Sequence, residues 1–153
     1  MLKATSTAVT VILAAFFGVT GVLAQPPRDN AGIVRLAERG DARAQTRLGY
    51  MLATGWGVPQ NYSEAAYWYR RAAEQGDPDA QYLLGVCFDL GKGVPIDFVL
   101  AHKWLNLSAS GTRAREEREH RAKMRDAVGT KLSVPELEIA QRLAIGWRPK
   151  RER

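Results

Sequence analysis

Apolar side chains in the middle of the chain recur at spacings of three and four. Ala65, Trp68, Tyr69, Ala72 and Ala73 form one such stripe, and Leu48, Gly49 and Leu52 form another, so each predicts a helix with one buried face. The polar positions between them mark the helix ends. Asp41 and Asp77 stand where a side-chain oxygen accepts from the free N–H groups of a first turn, and Pro78 follows where a missing N–H does no harm. Gly40 and Gly76 suit the left-handed residue that closes a preceding helix. The pattern predicts first helices over about Ala42 to Ala53 and Pro78 to Leu90, with second helices starting near Asn61 and Asp97. Asn61 with Glu64 is close to a capping box.

The same pair of helices is written twice. A step of 36 carries Ala44 to Ala80, Leu48 to Leu84, Gly49 to Gly85, Gly55 to Gly91, Gly57 to Gly93, Pro59 to Pro95 and Trp68 to Trp104. It also aligns "AERGDARA" (Ala37 to Ala44) with "AEQGDPDA" (Ala73 to Ala80). Internal repetition at this period means stacked helical units. Gly49 and Gly85 fall inside helices, where glycine costs ~1 kcal/mol relative to alanine, so their recurrence points to close helix–helix contact. Trp68 and Trp104 are expected to pack against the small residues of the partner helix.

Beyond Gly111 the repeat degrades. "RAREEREHRAKMRDAV" (Arg113 to Val128) is highly charged, with Glu117–Arg121 and Glu119–Lys123 at i,i+4 spacing, and its first half is expected to be exposed. Ser133 and Glu136 form a capping box for a last helix whose stripe is Leu137, Ala140, Leu143, Ala144 and Trp147, ended by Pro149. Residues 112–148 are therefore capping helices and residues 149–153 a basic tail.

At the other end, Lys3 precedes the apolar run "VILAAFFGVTGV" and then Val22-Leu23-Ala24. That layout predicts a signal peptide over residues 1–24, cleaved after Ala24, because the run is short for a membrane span of ~20 residues. An uncleaved anchor is the alternative. Residues 25–30 read as a linker. The expected address is the periplasm or the exterior. Cys87 is the one cysteine, so no internal disulfide forms, and its apolar neighbours predict a buried, inert thiol. The net charge of +6 is uneven: Gln25 to Gly111 carries nine basic and nine acidic residues, Thr112 to Arg153 twelve and seven.

Few side chains suggest chemistry. His102 and His120 lie in no metal-ligand spacing; His102 reads as a surface or satisfied edge residue and His120 as solvated. Ser108 and Ser110 make no nucleophile elbow and read as helix-end polarity. Asp89 and Asp97 flank a turn, where Asp97 matches Asn61 as a cap. The sequons at Asn61 and Asn106 fall on a helix cap and in a helix interior. The glycine pairs, G-x-G-V-P, lack the Lys-Ser/Thr of a phosphate loop and follow helices, so they read as turns. No catalytic, cofactor-binding or metal-binding residue is assigned.

"A-Q-x-x-L-G-x-x-x-x-x-G-x-G-V-P", then "A-x-x-W", then "A-A-E-Q-G-D" resembles the Sel-one-like repeat family, a branch of the tetratricopeptide-like helical repeats. The resemblance covers about Ala37 to Gly111 and places the repeats at 31–111, with a partial unit at 31–43 and units at 44–79 and 80–111. It implies an all-α fold: a short right-handed α/α superhelix of antiparallel helix pairs with helical caps. It also implies a non-enzymatic scaffold that binds a protein or peptide on its concave face; the outward face of the first helix carries Arg43, Thr46, Tyr50 and Ala53, which the step of 36 takes to Asp79, Tyr82, Val86 and Asp89. An alternative is a periplasmic hydrolase acting on β-lactam or cell-wall substrates, although relatives of that kind are cysteine-rich. Another is a tether to an anionic envelope surface through the basic tail "RPKRER". Export and the lack of a recognised binding motif disfavour nucleic acid.

Overall fold

The computed structural model describes residues 30–152, which form seven helices and no strand. The expected signal peptide and nearly all of the expected linker lie outside the described residues. The helices are α1 (Asn30–Glu38), α2 (Ala42–Thr54), α3 (Tyr62–Glu74), α4 (Pro78–Leu90), α5 (Phe98–Gly111), α6 (Arg115–Gly129) and α7 (Val134–Ile145).

Local chemistry starts each repeated helix in the same way. Asp41 accepts from the Ala44 N–H at 2.7 Å and Asp77 from the Ala80 N–H at 2.8 Å, while Asn61 and Asp97 do the same for Glu64 and Leu100. Burial pushes the Asp77 carboxyl up, against the hydrogen bonds from Ala80, Thr46 and Asp79 that pull it down. Ser133 and Glu136 complete their capping box at the start of α7. Each first helix ends on a glycine with positive φ, and the second glycine of each pair is positive as well. These glycines turn the chain between two helices. At Gly93 the turn also needs the space, since a Cβ would lie 2.0 Å from the Tyr62 carbonyl oxygen.

Consecutive helices from α1 to α6 pack pairwise, and α5 is the hub: α4, α6 and α7 all rest on it. Within each unit the glycine of the first helix meets the second. A Cβ on Gly49 would lie 2.6 Å from the Tyr69 ring and one on Gly85 would lie 2.8 Å from Leu105 Cγ. Tyr69 and Leu105 are equivalent positions, so the close approach repeats with a different side chain. The partners of the helical glycines are thus Tyr69 and Leu105, and the two tryptophans point elsewhere. One position along a helix is a rotation of ~100°, which turns Trp68 to a half-buried edge. Trp104 is buried and meets Trp147 edge-on, with ring centroids 6.3 Å apart.

The core is a file of small and large side chains, including Ala65, Ala72 and Ala73 of α3 and Leu84 and Phe88 of α4. Cys87 is buried within it and its thiol is pushed up to about 12 by burial.

Candidate interaction surface

The face carrying Arg43, Thr46, Tyr50, Asp79, Tyr82, Val86 and Asp89 divides in two. On α2, Arg43 is exposed, as is Arg47 one turn on, and Tyr50 is half-buried. The Thr46 hydroxyl lies 2.9 Å from the Ala42 carbonyl and 3.2 Å from Asp77, so it links one unit to the next cap. This half presents two guanidinium groups and an aromatic ring.

On α4 most of the corresponding half is covered, which corrects the expectation that these side chains line an open face; only Asp79 keeps about half of its side chain exposed, at 54%. Tyr82 is 4% exposed, with the Arg121 guanidinium 5.6 Å from its ring centroid and His120 Nε2 3.3 Å from its hydroxyl. Asp79 pairs with Arg121. Asp89 accepts from Lys131 Nζ at 2.5 Å, and Val86 is half-buried against the core. Helix α6 and the turn after it therefore take the place that a partner was expected to occupy on the second unit.

Arg121 is the pin of this cover. Only 1% of its side chain is exposed, although the run around it is as charged as the sequence suggested. Its Nη1 donates to the Pro78 carbonyl at 2.8 Å and to Ser108 Oγ at 2.9 Å, and its Nη2 donates to Asp79. Ser108 in turn donates to the Pro78 carbonyl at 2.6 Å, so it is a buried link rather than simple helix-end polarity. Glu119 pairs with Arg115 at 2.8 Å, in place of the expected partner Lys123, while Glu117 sits 3.7 Å from Arg121.

His120 is exposed apart from its contact with Tyr82, whereas His102 departs from the expected surface or satisfied edge position. It is 5% exposed, its Nδ1 has no hydrogen-bond partner, and burial lowers its pKa. With Asn106, Arg125, Asp126, Gly129 and Leu137 it lines a cleft of about 580 Å³ between α5, α6 and α7. Among the described residues, no group of three or more His, Cys, Asp or Glu side chains is arranged to hold a metal ion. No helix among them is long and apolar enough to cross a membrane.

A second surface arises where the sequence pointed only to a basic tail. After α7 the chain turns back along the repeats, and Glu152 reaches α2 and α3. Arg71 Nε and Nη2 donate to its two carboxylate oxygens at 3.0 and 2.5 Å, and Gln45 Nε2 donates at 2.8 Å. Arg71 itself lies 4.8 Å from the Trp68 ring centroid and 5.7 Å from that of Tyr67. The clue in the sequence was slight: one acid within "RPKRER", and a glutamine recurring at Gln45 and Gln81.

Antiparallel helix pairs repeated at one step, with matching caps and matching glycine contacts, define a helical repeat protein. Residues 42–77 and 78–112 each match the Sel1 repeat, and the chain is a Sel1-like repeat protein. It is similar to the crystal structure of a protective antigen present in uropathogenic Escherichia coli strains and displaying an SLR fold. That match has 32% identity and a TM-score of 0.67, covering 73% of this chain and 23% of the antigen. It is also similar to a Sel1 repeat protein from Oxalobacter formigenes, at 34% identity and a TM-score of 0.52, over 54% of this chain and 63% of that one. The chain thus spans less than two thirds of either. No curated protein matches it. Sel1 repeats typically build scaffolds for protein–protein interaction.

Proposed function

We propose that this chain is an exported, non-catalytic scaffold that binds a protein partner on the open half of its first-helix face. The observation that carries the reading is the division of that face: α6 and the turn after it cover Tyr82 and pair with Asp79 and Asp89, while Arg43 and Arg47 stay exposed on α2 beside the half-buried Tyr50. Two guanidinium groups one turn apart with an aromatic neighbour favour a partner segment bearing carboxylates. Export rests on the layout of residues 1–24 and the non-catalytic role on the absorption of polar groups into packing, as with Ser108 and Cys87. Placing a photo-crosslinking amino acid at Tyr50 in the native host tests the surface. An adduct that disappears when Arg43 and Arg47 become Glu supports it, and an adduct indifferent to that change overturns it. Fractionation of the host, with and without residues 1–24, checks the address.

A further inference from the structure

The tail after α7 lies in a groove that follows the repeat. Trp147 packs on Trp104 of α5, and Pro149 Cβ lies 3.5 Å from the place of a Gly76 Cβ. The Lys150 N–H donates to the Glu74 carbonyl at 2.7 Å. Glu152 Cβ lies 3.0 Å from the place of a Gly40 Cβ. Gly76 and Gly40 are one repeat step apart, so the tail crosses two successive turns between units in order. At each crossing a bare glycine leaves the room.

The far end of the groove is built to receive a carboxylate. Gln45, itself completely buried, offers an N–H and is steadied by Gln75 at 2.8 Å and by the Ala37 carbonyl at 3.0 Å. Arg71 is stacked on Trp68 beside Tyr67, so its fork is oriented by the repeat and the arriving acid meets a preformed receptor. The tail is held there lightly. Its polar ties are few: Arg71 and Gln45 on Glu152, with the Arg71 and Glu152 side chains each 26% exposed, and the single backbone bond at Lys150.

We propose that this groove is a recognition site for an extended peptide carrying an aromatic residue, a proline two positions on and a carboxylate three positions further. In the isolated chain the C-terminal tail, W-x-P-x-x-E, occupies it in cis, and a partner segment of the same chemistry displaces it. This site is separate from the α2 face, so crosslinking at Tyr50 and the test below fail independently.

The probe is a labelled synthetic peptide of residues 146–153, and fluorescence anisotropy reads its binding to the full chain. The Glu152→Ala chain, its own tail released, binds the peptide at least about tenfold more tightly than the wild type, where the tethered tail competes. Adding Arg71→Ala to that chain, or placing Gln at the Glu152 position of the peptide, removes about tenfold of that affinity. If Glu152→Ala disturbs folding, Glu152→Gln serves in its place. A folded released-tail chain that shows no saturable binding, or equal affinity for the Glu and Gln peptides, overturns the proposal and leaves the tail a structural strap. A concentration-dependent dimer of the wild type held by exchanged tails overturns the cis occupant.

Discussion

Arg71 and Glu152, 81 positions apart in the chain, meet as a forked ion pair with bonds of 3.0 and 2.5 Å. The pair ties the last described residue to the first complete helix pair, across the whole stack. A solenoid of two units has few neighbours to bury its ends, and here the ends are held partly by the chain itself.

That pair sets a pH dependence. The hydrogen bond from Arg71 holds the Glu152 carboxyl below its ordinary value of 4.5. A depressed folded pKa contributes stability that is fully present above the unfolded value and is lost as pH falls through the folded one. Wild type is therefore expected to melt above Glu152→Gln at pH 7, with the gap closing as pH drops below the ordinary carboxylate range. A gap that stays constant to low pH contradicts the assignment.

Three glycines give opposite signs. Alanine at Gly49 or Gly85 gains ~1 kcal/mol of helix propensity. It also forces a Cβ to 2.6 Å from Tyr69 or 2.8 Å from Leu105, with backbone carbonyls of Ala65 and Ala101 at 3.1 and 3.2 Å behind. Overpacking of this kind costs about 1–3 kcal/mol, and contact with backbone puts these sites at its upper end, so both variants are expected to lose up to about 2 kcal/mol net. Gly129, within α6, would place its Cβ 3.6 Å from His102, an ordinary contact. Gly129→Ala is expected to gain about 0.5–1 kcal/mol. Urea unfolding of the three variants checks the signs.

Arg121 supports the strongest destabilisation. Replacing it by Ala strips partners from the Pro78 carbonyl and from Ser108, both inside the cover over Tyr82, and empties the space its side chain fills. Asp79 is half exposed and is rehydrated when its partner goes, which limits the loss. The expected cost is about 2–3 kcal/mol, with α6 losing amide protection before the repeats do. Hydrogen exchange that shows α6 and α4 opening together in the variant contradicts this order.

The helices and their caps were legible because the rules that set them are local. Asp41, Asp77, Asn61 and Asp97 cap within three residues of themselves, and the step of 36 exposed the turns as a repeated feature. What remained hidden depends on docking between distant elements. Arg121 sits in a run that reads as solvated, and nothing in its neighbours distinguishes the one arginine that faces inward. Tyr82 follows the pattern of an open repeat face until α6 lies over it. Tyr69 outranked Trp68 as the partner of Gly49 through a helical rotation of one residue, finer than a stripe of apolar positions resolves. The return of the tail has no period at all, since Glu152 finds Gln45 and Arg71 only through the geometry of two units.

His102 gives the last test. It packs on α5 against Gly129 of α6, and the charged groups that act on it are Arg125 and Asp126 of α6. Burial, joined by Arg125, lowers its pKa below the ordinary 6.5, and Asp126 opposes the shift. The unfolded chain therefore takes up a proton at a pH where the folded chain does not. Stability is full above the unfolded pKa, declines as pH falls from about 6.5 toward the folded pKa, and levels off below it. In His102→Gln that stretch of the curve is expected to flatten, so wild type and variant diverge between neutral and mildly acid pH in the slope of Tm against pH. Parallel slopes across that window contradict the assignment.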